Sequence, residues 1–264
     1  MCGVSAVYGS YAPIKAMLMT LNQLERGVQG CGVAYMCKNS IKVVKEPTHP
    51  VSFMSRRLYD LNVDVKLAIA HNRQPRIGKV NMENTHPFLS CDGYFALAHN
   101  GHAFTSDIRK WLIENNHKLL GETDSEVLAH TLEEYLNETN DMLKAIAQLT
   151  VNYLSGSIVV LTLDNELYCA KSGAYPLHYA VHDGEVYVAS TKKAVESLLN
   201  ALNVKGCEII EVLDCEALKI KNGKVEHYQI EAPKKPKSYT YGDFSYFDFY
   251  GYEGNKNKRW WCVW

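Results

Sequence analysis

The chain has 264 residues, and its 28 lysines and arginines nearly balance its 29 aspartates and glutamates, which gives a formal net charge of -1. This balance gives no attraction to nucleic acid or to an anionic membrane, and 47% hydrophobic with 22% charged residues is the composition of a globular protein. The sequence contains neither a signal peptide nor an apolar run of about 20 residues, so we predict a cytoplasmic protein without nucleic-acid or membrane partners.

The first part of the chain mixes short apolar strands with amphipathic helices. Hydrophobic periodicity predicts strands over residues 3–8, 32–37, 41–44, 67–71 and 94–99. It predicts helices over residues 14–24, 106–115, 124–137 and 142–149. Thr123 and Glu126 have the spacing of a capping box at the start of the third of these helices.

From residue 157 onward the pattern changes to strands with alternating apolar residues. We predict strands over residues 158–163, 167–171, 178–181, 186–189, 208–212, 217–221 and 225–230, with one helix over residues 192–202. Asn222 and Gly223 form a strong hairpin signal between the last two strands. Strands joined by hairpins, together with two groups of helices, predict antiparallel sheets covered by helices on their outer faces.

The globular pattern ends near Ala232. Residues 233–237 have the composition of a stiff, solvated linker, and residues 238–264 contain 11 aromatic residues in 27 positions. We therefore predict one domain over residues 1–232, followed by a linker and aromatic tail over residues 233–264. Two interpretations of the tail stay open: the aromatic residues pack on the domain, which we favour, or they dock to a partner.

Other common sites have little support in the sequence. None of the eight cysteines forms a C-x-x-C pair, so zinc ribbons and thioredoxin-like motifs are disfavoured and most cysteines are expected to be reduced thiols. No P-loop, complete dinucleotide fingerprint or G-x-S-x-G elbow is present. A metal site built from His99, His102 and a cysteine is conceivable, but structural histidines are the more common case. We predict no cofactor and no metal.

Cys2 is the most informative cysteine because of its position. Removal of Met1 would leave Cys2 with a thiol and a free α-amine on the same residue. An α-amine has a pKa of about 7.7–8.0, so it can act as a general base for the thiol near neutral pH. Position alone is weak evidence, since many proteins carry a small residue second in the chain.

Further short motifs follow Cys2 in a defined order. They are Cys-Gly-Val-Ser-Ala-Val-Tyr-Gly at residues 2–9, Leu-Glu-Arg-Gly at 24–27 with Gly32, Ala-His-Asn-Arg at 70–73 with Gly78, Asn-Thr-His-Pro at 84–87, His-Asn-Gly at 99–101 and Glu-Thr-Asp-Ser-Glu at 122–126. Together they resemble the class II glutamine amidotransferase domain, such as the glutaminase domains of glucosamine-6-phosphate synthase and amidophosphoribosyltransferase. The resemblance covers roughly residues 2–220. It implies an α+β fold, the four-layer αββα N-terminal-nucleophile hydrolase sandwich with two antiparallel sheets.

The resemblance also implies a reaction. Cys2 would attack the side-chain amide of glutamine and form a γ-glutamyl thioester, and hydrolysis would give glutamate and ammonia. The tetrahedral intermediate carries an oxyanion that needs fixed hydrogen-bond donors. Asn100 through its side-chain amide and Gly101 through its backbone N–H resemble that pair, although Asn-Gly after a strand is by itself more often a turn.

Glutamine binding would use charged residues. By the same resemblance, Arg73 would bind the α-carboxylate and Asp124 the α-ammonium group, while Arg26 would support the loop near the nucleophile. Two of them also have simpler interpretations: Arg73 as a solvated arginine at a strand end, and Asp124 as an acidic residue at a helix start. Arg76 is a second candidate for the α-carboxylate.

The sequence departs from the family pattern directly after Arg73. Gln74, Pro75 and Arg76 stand where the family usually has an aromatic residue, a small residue and threonine, and Ile77 stands where related proteins often have histidine. This departure leaves two alternatives to a glutaminase: a hydrolase of another γ-glutamyl compound, and a non-catalytic regulatory subunit on the same fold. The sequence shows no synthase domain, so ammonia would pass to a separate synthetase or be released.

Overall fold

The computed structural model describes residues 1–231, with the backbone alone for Ser106 and Asp107, so the predicted linker and aromatic tail lie outside the described residues. The strands are β1 (Gly3–Tyr8), β2 (Cys31–Cys37), β3 (Ser40–Glu46), β4 (Leu67–Asn72), β5 (Phe88–Leu89), β6 (Phe95–Ala103), β7 (Leu154–Thr162), β8 (Leu167–Ser172), β9 (His178–His182), β10 (Glu185–Ala189), β11 (Ile210–Glu211), β12 (Glu216–Lys221) and β13 (Lys224–Gln229). The helices are α1 (Ala12–Leu21), α2 (Pro50–Leu61), α3 (Ser106–Glu114), α4 (Asp124–Thr139), α5 (Met142–Asn152) and α6 (Lys192–Ala201), with a short 3-10 helix over Leu24–Arg26.

The strands form two antiparallel sheets. The first has seven strands in the order β11-β9-β10-β1-β4-β2-β3, and the second has six in the order β13-β12-β8-β7-β6-β5. Strand β1 pairs with β10 on one side and with β4 on the other, so residue 2, directly before β1, lies near the middle of the first sheet. Strand β6 runs beside β7 over its full length.

The inner faces of the two sheets pack against each other. Val4 and Ala6 of β1 meet Ala98 of β6 and Val159 of β7 in one apolar layer. The alternation of a strand places the residue between Val4 and Ala6 on the opposite face, where the hydroxyl of Ser5 donates to the carbonyl of Ala16 in α1 at 2.9 Å. Strand periodicity therefore decides which residues form the centre of the molecule.

Helices cover both outer faces. Met17 of α1, Phe53 of α2 and Leu198 of α6 pack on the outer face of the first sheet. Leu128 of α4 and Ile146 of α5 pack on the outer face of the second. The layers are thus helix, sheet, sheet and helix, and the predicted four-layer αββα fold is confirmed.

Some predicted elements differ from the structure. Helix α2 and the strand β5 were missed: α2 buries only Pro50, Phe53 and Leu61, and β5 has only two residues. The start of α2 does carry a local signal, since Pro50 is its first residue and the His49 ring accepts the N–H of Val51 at 3.2 Å. Among the described residues, no helix combines the length and the apolar character that crossing a membrane requires.

Candidate active site

Cys2 is held in place by its backbone and by its thiol. The carbonyl of Cys2 accepts a hydrogen bond from Nε of Arg26 at 2.6 Å, and Arg26 itself is buried in the short helix after α1. The sulfur of Cys2 accepts the backbone N–H of Gln74 at 3.3 Å. Arg26 contacts Cys2 from outside the pocket, and the supporting role that the resemblance implies for it stays a prediction.

The surroundings of the thiol favour its neutral form. Burial raises the pKa of the Cys2 thiol above its ordinary value, and the Gln74 N–H, the positive N-terminus and Arg73 oppose that rise only in part. The carboxylate of Asp124 adds to the rise in the thiol pKa. A thiol of this kind needs a base in order to act as a nucleophile at neutral pH.

The pocket beside Cys2 collects most of the residues singled out in the sequence. Its walls include Cys2, Arg73, Arg76, Asn100, Gly101 and Asp124. His102 and Tyr175, which the sequence analysis did not assign to a substrate site, line the same pocket. These residues come from separate parts of the chain, and the two sheets and the start of α4 bring them together.

Asn100 presents an unpaired amide. Its side chain is fully buried, and neither Nδ2 nor Oδ1 has a hydrogen-bond partner among the described residues. A buried polar group without a partner costs about 1–3 kcal/mol, so such a group in a pocket points to a ligand that completes its hydrogen bonds. The amide of Asn100 is therefore available to a bound molecule.

Gly101 follows within the same strand. The sequence predicted that the strand would end at residue 99, but β6 continues to Ala103 and contains both Asn100 and Gly101. The pair is thus part of a ladder with β7 rather than a turn after a strand. Pairing with β7 fixes the direction of the Gly101 backbone more firmly than a turn would.

Arg73 anchors the loop that follows it. The residue is buried, and its guanidinium donates to the carbonyls of Ile77 at 2.8 Å, Gly78 at 3.3 Å and Lys79 at 2.8 Å. Burial lowers the pKa of Arg73, although an arginine remains charged. Arg73 therefore supplies positive charge to the pocket and also fixes the shape of the loop over residues 74–79.

Arg76 lies on that loop and reaches across the pocket. Its guanidinium contacts Nε2 of His102, a residue of β6. Ile77, the other departure from the family pattern, lines the pocket and is 48% exposed. The altered loop thus places a cation and an apolar side chain beside Cys2.

Asp124 joins the start of α4 to the end of β6. One carboxylate oxygen, Oδ2, accepts the backbone N–H of Ala103 at 2.8 Å. The predicted cap of α4 is confirmed in part, since the hydroxyl of Thr123 accepts the N–H of Glu126 at 3.3 Å. The reciprocal half is absent, because the Glu126 carboxylate instead accepts the N–H groups of Leu120 and Gly121, each at 2.8 Å.

Three buried histidines, His71, His86 and His99, lie at the pocket, and the last two are part of its lining. The rings of His71 and His86 stack at 3.8 Å, Nε2 of His71 lies 3.1 Å from the carbonyl of His99, and Nδ1 of His86 accepts the His99 N–H at 3.2 Å. Burial lowers the pKa of His71 to about 3 and that of His99 to about 4, and it also holds the pKa of His86 well below its usual range. All three are neutral near pH 7 and hold the strand ends that carry Arg73 and Asn100.

Comparison with known proteins gives one consistent family. The sequence profile described as "Glutamine amidotransferases class-II" matches residues 17–195. Glutamine–fructose-6-phosphate aminotransferase (isomerizing) of Bacillus licheniformis is 29% identical over 232 residues, which is 85% of this chain and 36% of that protein. The enzyme of the same name from Thermus thermophilus is 31% identical over 200 residues, which is 74% of this chain and 32% of that protein. The chain thus spans about a third of the length of these relatives.

Solved structures share the fold. The glutamine phosphoribosylpyrophosphate amidotransferase of B. subtilis, complexed with ADP and GMP, has a TM-score of 0.72 and 22% identity, covering 87% of this chain and 49% of that one. A glutamine aminotransferase class-II domain protein of Silicibacter pomeroyi has a TM-score of 0.56 and 17% identity, covering 87% of this chain and 100% of that one. At these identities the likeness concerns the fold.

Proposed function

Because the chain belongs to the class II glutamine amidotransferases, a class of enzymes that hydrolyse glutamine through an N-terminal cysteine, we propose that it hydrolyses the side-chain amide of glutamine to glutamate and ammonia. The observation that carries the proposal is the meeting of the Cys2 thiol, the unpaired Asn100 amide and Gly101 in one pocket. A nucleophile beside free hydrogen-bond donors is the arrangement that acyl transfer from an amide requires.

The chemical steps follow from these groups. After removal of Met1, the α-amine of Cys2 takes the thiol proton while the sulfur attacks the amide carbon. The oxyanion is bound by Nδ2 of Asn100 and the backbone N–H of Gly101. The protonated amine then returns its proton to the departing nitrogen, which leaves as ammonia, and water hydrolyses the thioester to release glutamate and restore the thiol.

Charges around the pocket fit the two ends of free glutamine. The guanidinium groups of Arg73 and Arg76 form a positive wall for the α-carboxylate, and Asp124 provides a carboxylate for the α-ammonium group. Arg73 acts in two ways here, through its own charge and by holding the loop that carries Arg76.

The acceptor of the ammonia is a separate matter. The relatives named above are aminotransferases, and this chain matches about a third of their length. We propose that the ammonia passes to a separate synthetase. Co-purification of such a protein with the full-length chain would support this proposal, and glutamine hydrolysis at the same rate with and without the candidate partner would count against coupling.

The direct test measures glutamate and ammonia release from glutamine by the full-length protein, with asparagine and γ-glutamyl amides compared at equal concentration. Replacement of Cys2 by alanine is expected to lower the rate by several orders of magnitude, about 10⁶-fold in comparable hydrolases. The matched control is Cys37→Ala, which removes a free thiol of β2 that does not line the pocket.

A glutamine analogue with an electrophilic γ-carbon supplies a second readout. We expect it to label Cys2 in the parent protein and to leave Cys37 unmodified, as mapped by mass spectrometry. Unchanged ammonia release by Cys2→Ala, or labelling at a different cysteine, would refute the assignment. Faster hydrolysis of another γ-glutamyl compound than of glutamine would favour the alternative substrate class.

A further inference from the structure

A second group of reactive side chains lies on the outer side of the second sheet. It consists of Cys91, His117, His130 and Glu133, which we call the Cys91 cluster. Cys91 lies in the turn between β5 and β6, His117 lies between α3 and α4, and the other two residues lie on α4. None of the four lines the pocket beside Cys2.

The four side chains converge on one point. Nδ1 of His117 lies 3.5 Å from the Cys91 sulfur, 3.4 Å from Nδ1 of His130 and 3.4 Å from Oε2 of Glu133. Nδ1 of His130 lies 3.4 Å from the same sulfur and 3.2 Å from the same carboxylate oxygen. The side chains of both histidines and of Glu133 are largely enclosed, being 7%, 5% and 11% exposed.

Five of the six separations between the ligand atoms are close to the edges of a metal-centred tetrahedron, and all four atoms lie within 4.8 Å of one another. Zinc binds nitrogen and oxygen at about 2.0–2.2 Å and sulfur at about 2.3 Å, so tetrahedral ligand atoms lie about 3.3–3.6 Å apart. The five distances of 3.2 to 3.5 Å between the cluster atoms lie close to that spacing. One thiol, two imidazoles and one carboxylate are also ligands that zinc accepts.

Hydrogen bonds cannot account for every short contact within the cluster. A single proton on Nδ1 of His117 could serve only one of its three close neighbours in the cluster. Moreover, Nε2 of His117 lies 3.0 Å from Oε1 of Glu134, which favours a proton on Nε2 and leaves the Nδ1 lone pair directed into the cluster. Carboxylates that fix the tautomer of a histidine in this way are a regular feature of metal sites.

The backbone supports the same arrangement. The N–H of Cys91 lies 3.1 Å from both carboxylate oxygens of Glu133, which ties the turn before β6 to α4. His130 and Glu133 are three residues apart on the helix and so point to the same side. The ligands are therefore held by one helix, one turn and one connecting segment.

We propose that the Cys91 cluster binds one Zn²⁺ ion in a closed tetrahedral site that fastens α4 to the β5–β6 turn. Binding transfers the thiol proton of Cys91 to solvent, and no group is oxidised or reduced. The resulting thiolate and the Glu133 carboxylate supply two negative charges, which balance the charge of the ion. With four protein ligands the site is structural, and it stabilises the helix whose first residue is Asp124.

The test uses the full-length protein carrying Cys2→Ala, so that the thiol in the pocket cannot bind metal. The protein is loaded with Zn²⁺, desalted and analysed for metal by mass spectrometry, and we expect about one zinc ion per chain. Adding Cys91→Ala should reduce the retained zinc at least tenfold. The matched control is Cys207→Ala, which removes another free cysteine that lies outside the cluster and should retain the full amount.

Two further measurements do not depend on removing a ligand. Zn²⁺ should protect Cys91 from alkylation in the protein with an intact cluster, and a chelator should abolish the protection. Glu134→Gln keeps the size of the side chain but weakens its hold on the His117 ring, and it should lower zinc affinity by about 10–100-fold. A third measurement does use the ligand variant: Co²⁺ in place of zinc should show thiolate charge-transfer absorption that disappears in Cys91→Ala.

Each outcome of these experiments either supports or overturns the proposed zinc site. The proposal is overturned if the loaded protein retains no zinc, if Cys91→Ala retains as much as the Cys207→Ala control, or if zinc leaves the alkylation rate of Cys91 unchanged. If Cys91→Ala does not fold, protection from alkylation and the Glu134→Gln affinity decide the question. Because no readout involves glutamine, the zinc site and the proposed reaction stand or fall separately.

Discussion

Gly101 of β6 lies directly opposite Gly156 of β7, and the two backbones approach too closely there for a side chain at either position. A Cβ atom on Gly101 would lie 2.3 Å from the carbonyl oxygen of Ser155 and 2.5 Å from Cα of Gly156. The backbone of Gly101 also has a φ of 154°, which L side chains rarely adopt. The N–H proposed to bind the oxyanion therefore belongs to a position in β6 where only glycine fits.

Substitution of Gly101 by alanine should impair both folding and catalysis. Overpacking against β7 is expected to lower the free energy of unfolding by about 1–3 kcal/mol. Displacement of the backbone N–H should lower kcat for glutamine by about 10²-fold or more. Urea unfolding and steady-state kinetics on the same preparation check both effects, and a variant with parental stability and kcat would contradict the argument.

Asn100→Ala should separate catalysis from stability. Loss of one oxyanion donor typically lowers kcat by about 10²–10³-fold, while KM should change little because the oxyanion forms only during reaction. The free energy of unfolding should stay the same or rise, since the buried amide has no partner among the described residues. An unchanged kcat would remove Asn100 from the proposed mechanism.

Arg73→Ala and Arg76→Ala should have different consequences. Arg73 carries charge into the pocket and also bonds the loop carbonyls of Ile77 and Lys79, so its loss should raise KM by about 10–100-fold and make the loop easier to cleave by protease. Arg76→Ala should raise KM without increasing cleavage, because Arg76 bonds no loop carbonyl among the described residues. Equal protease sensitivity of the two variants would show that Arg73 does not anchor the loop.

Acid should weaken the fold through the buried histidines. An unfolded histidine has a pKa of about 6.5, whereas the folded pKa is about 3 for His71 and about 4 for His99. Between these values the unfolded chain binds more protons, so the free energy of unfolding falls as pH drops from about 6.5 toward 4.

The contribution of one ring can be isolated with His71→Phe, which keeps an aromatic ring against His86. The slope of the unfolding free energy against pH, measured between pH 4 and 6, should decrease by up to about 1.4 kcal/mol per pH unit relative to the parent protein. His182, whose side chain is 39% exposed, provides the control variant His182→Phe. Equal slopes for the parent and His71→Phe would show that His71 does not titrate as described.

Local pattern in the sequence determined most of the secondary structure. Alternating apolar residues located β1 and the hairpin of β12 and β13, because strand and turn preferences act over only a few neighbouring residues. Helix α2 was not predicted, and it buries only three residues, Pro50, Phe53 and Leu61. The aromatic tail predicted over residues 233–264 lies outside the described residues and stays a prediction.

The motif residues were also identifiable in the sequence, but their arrangement was not. Cys2, Asn100 and Asp124 are far apart in the chain, and they share a pocket because β1 lies at the centre of one sheet while Asp124 bonds the end of β6. The pairing of His130 with Glu133 could be inferred from helical spacing, whereas the approach of Cys91 and His117 could not. Sheet order and helix packing bring together residues whose proximity no local sequence pattern indicates. The tertiary structure alone therefore decided which side chains lie close enough to act together.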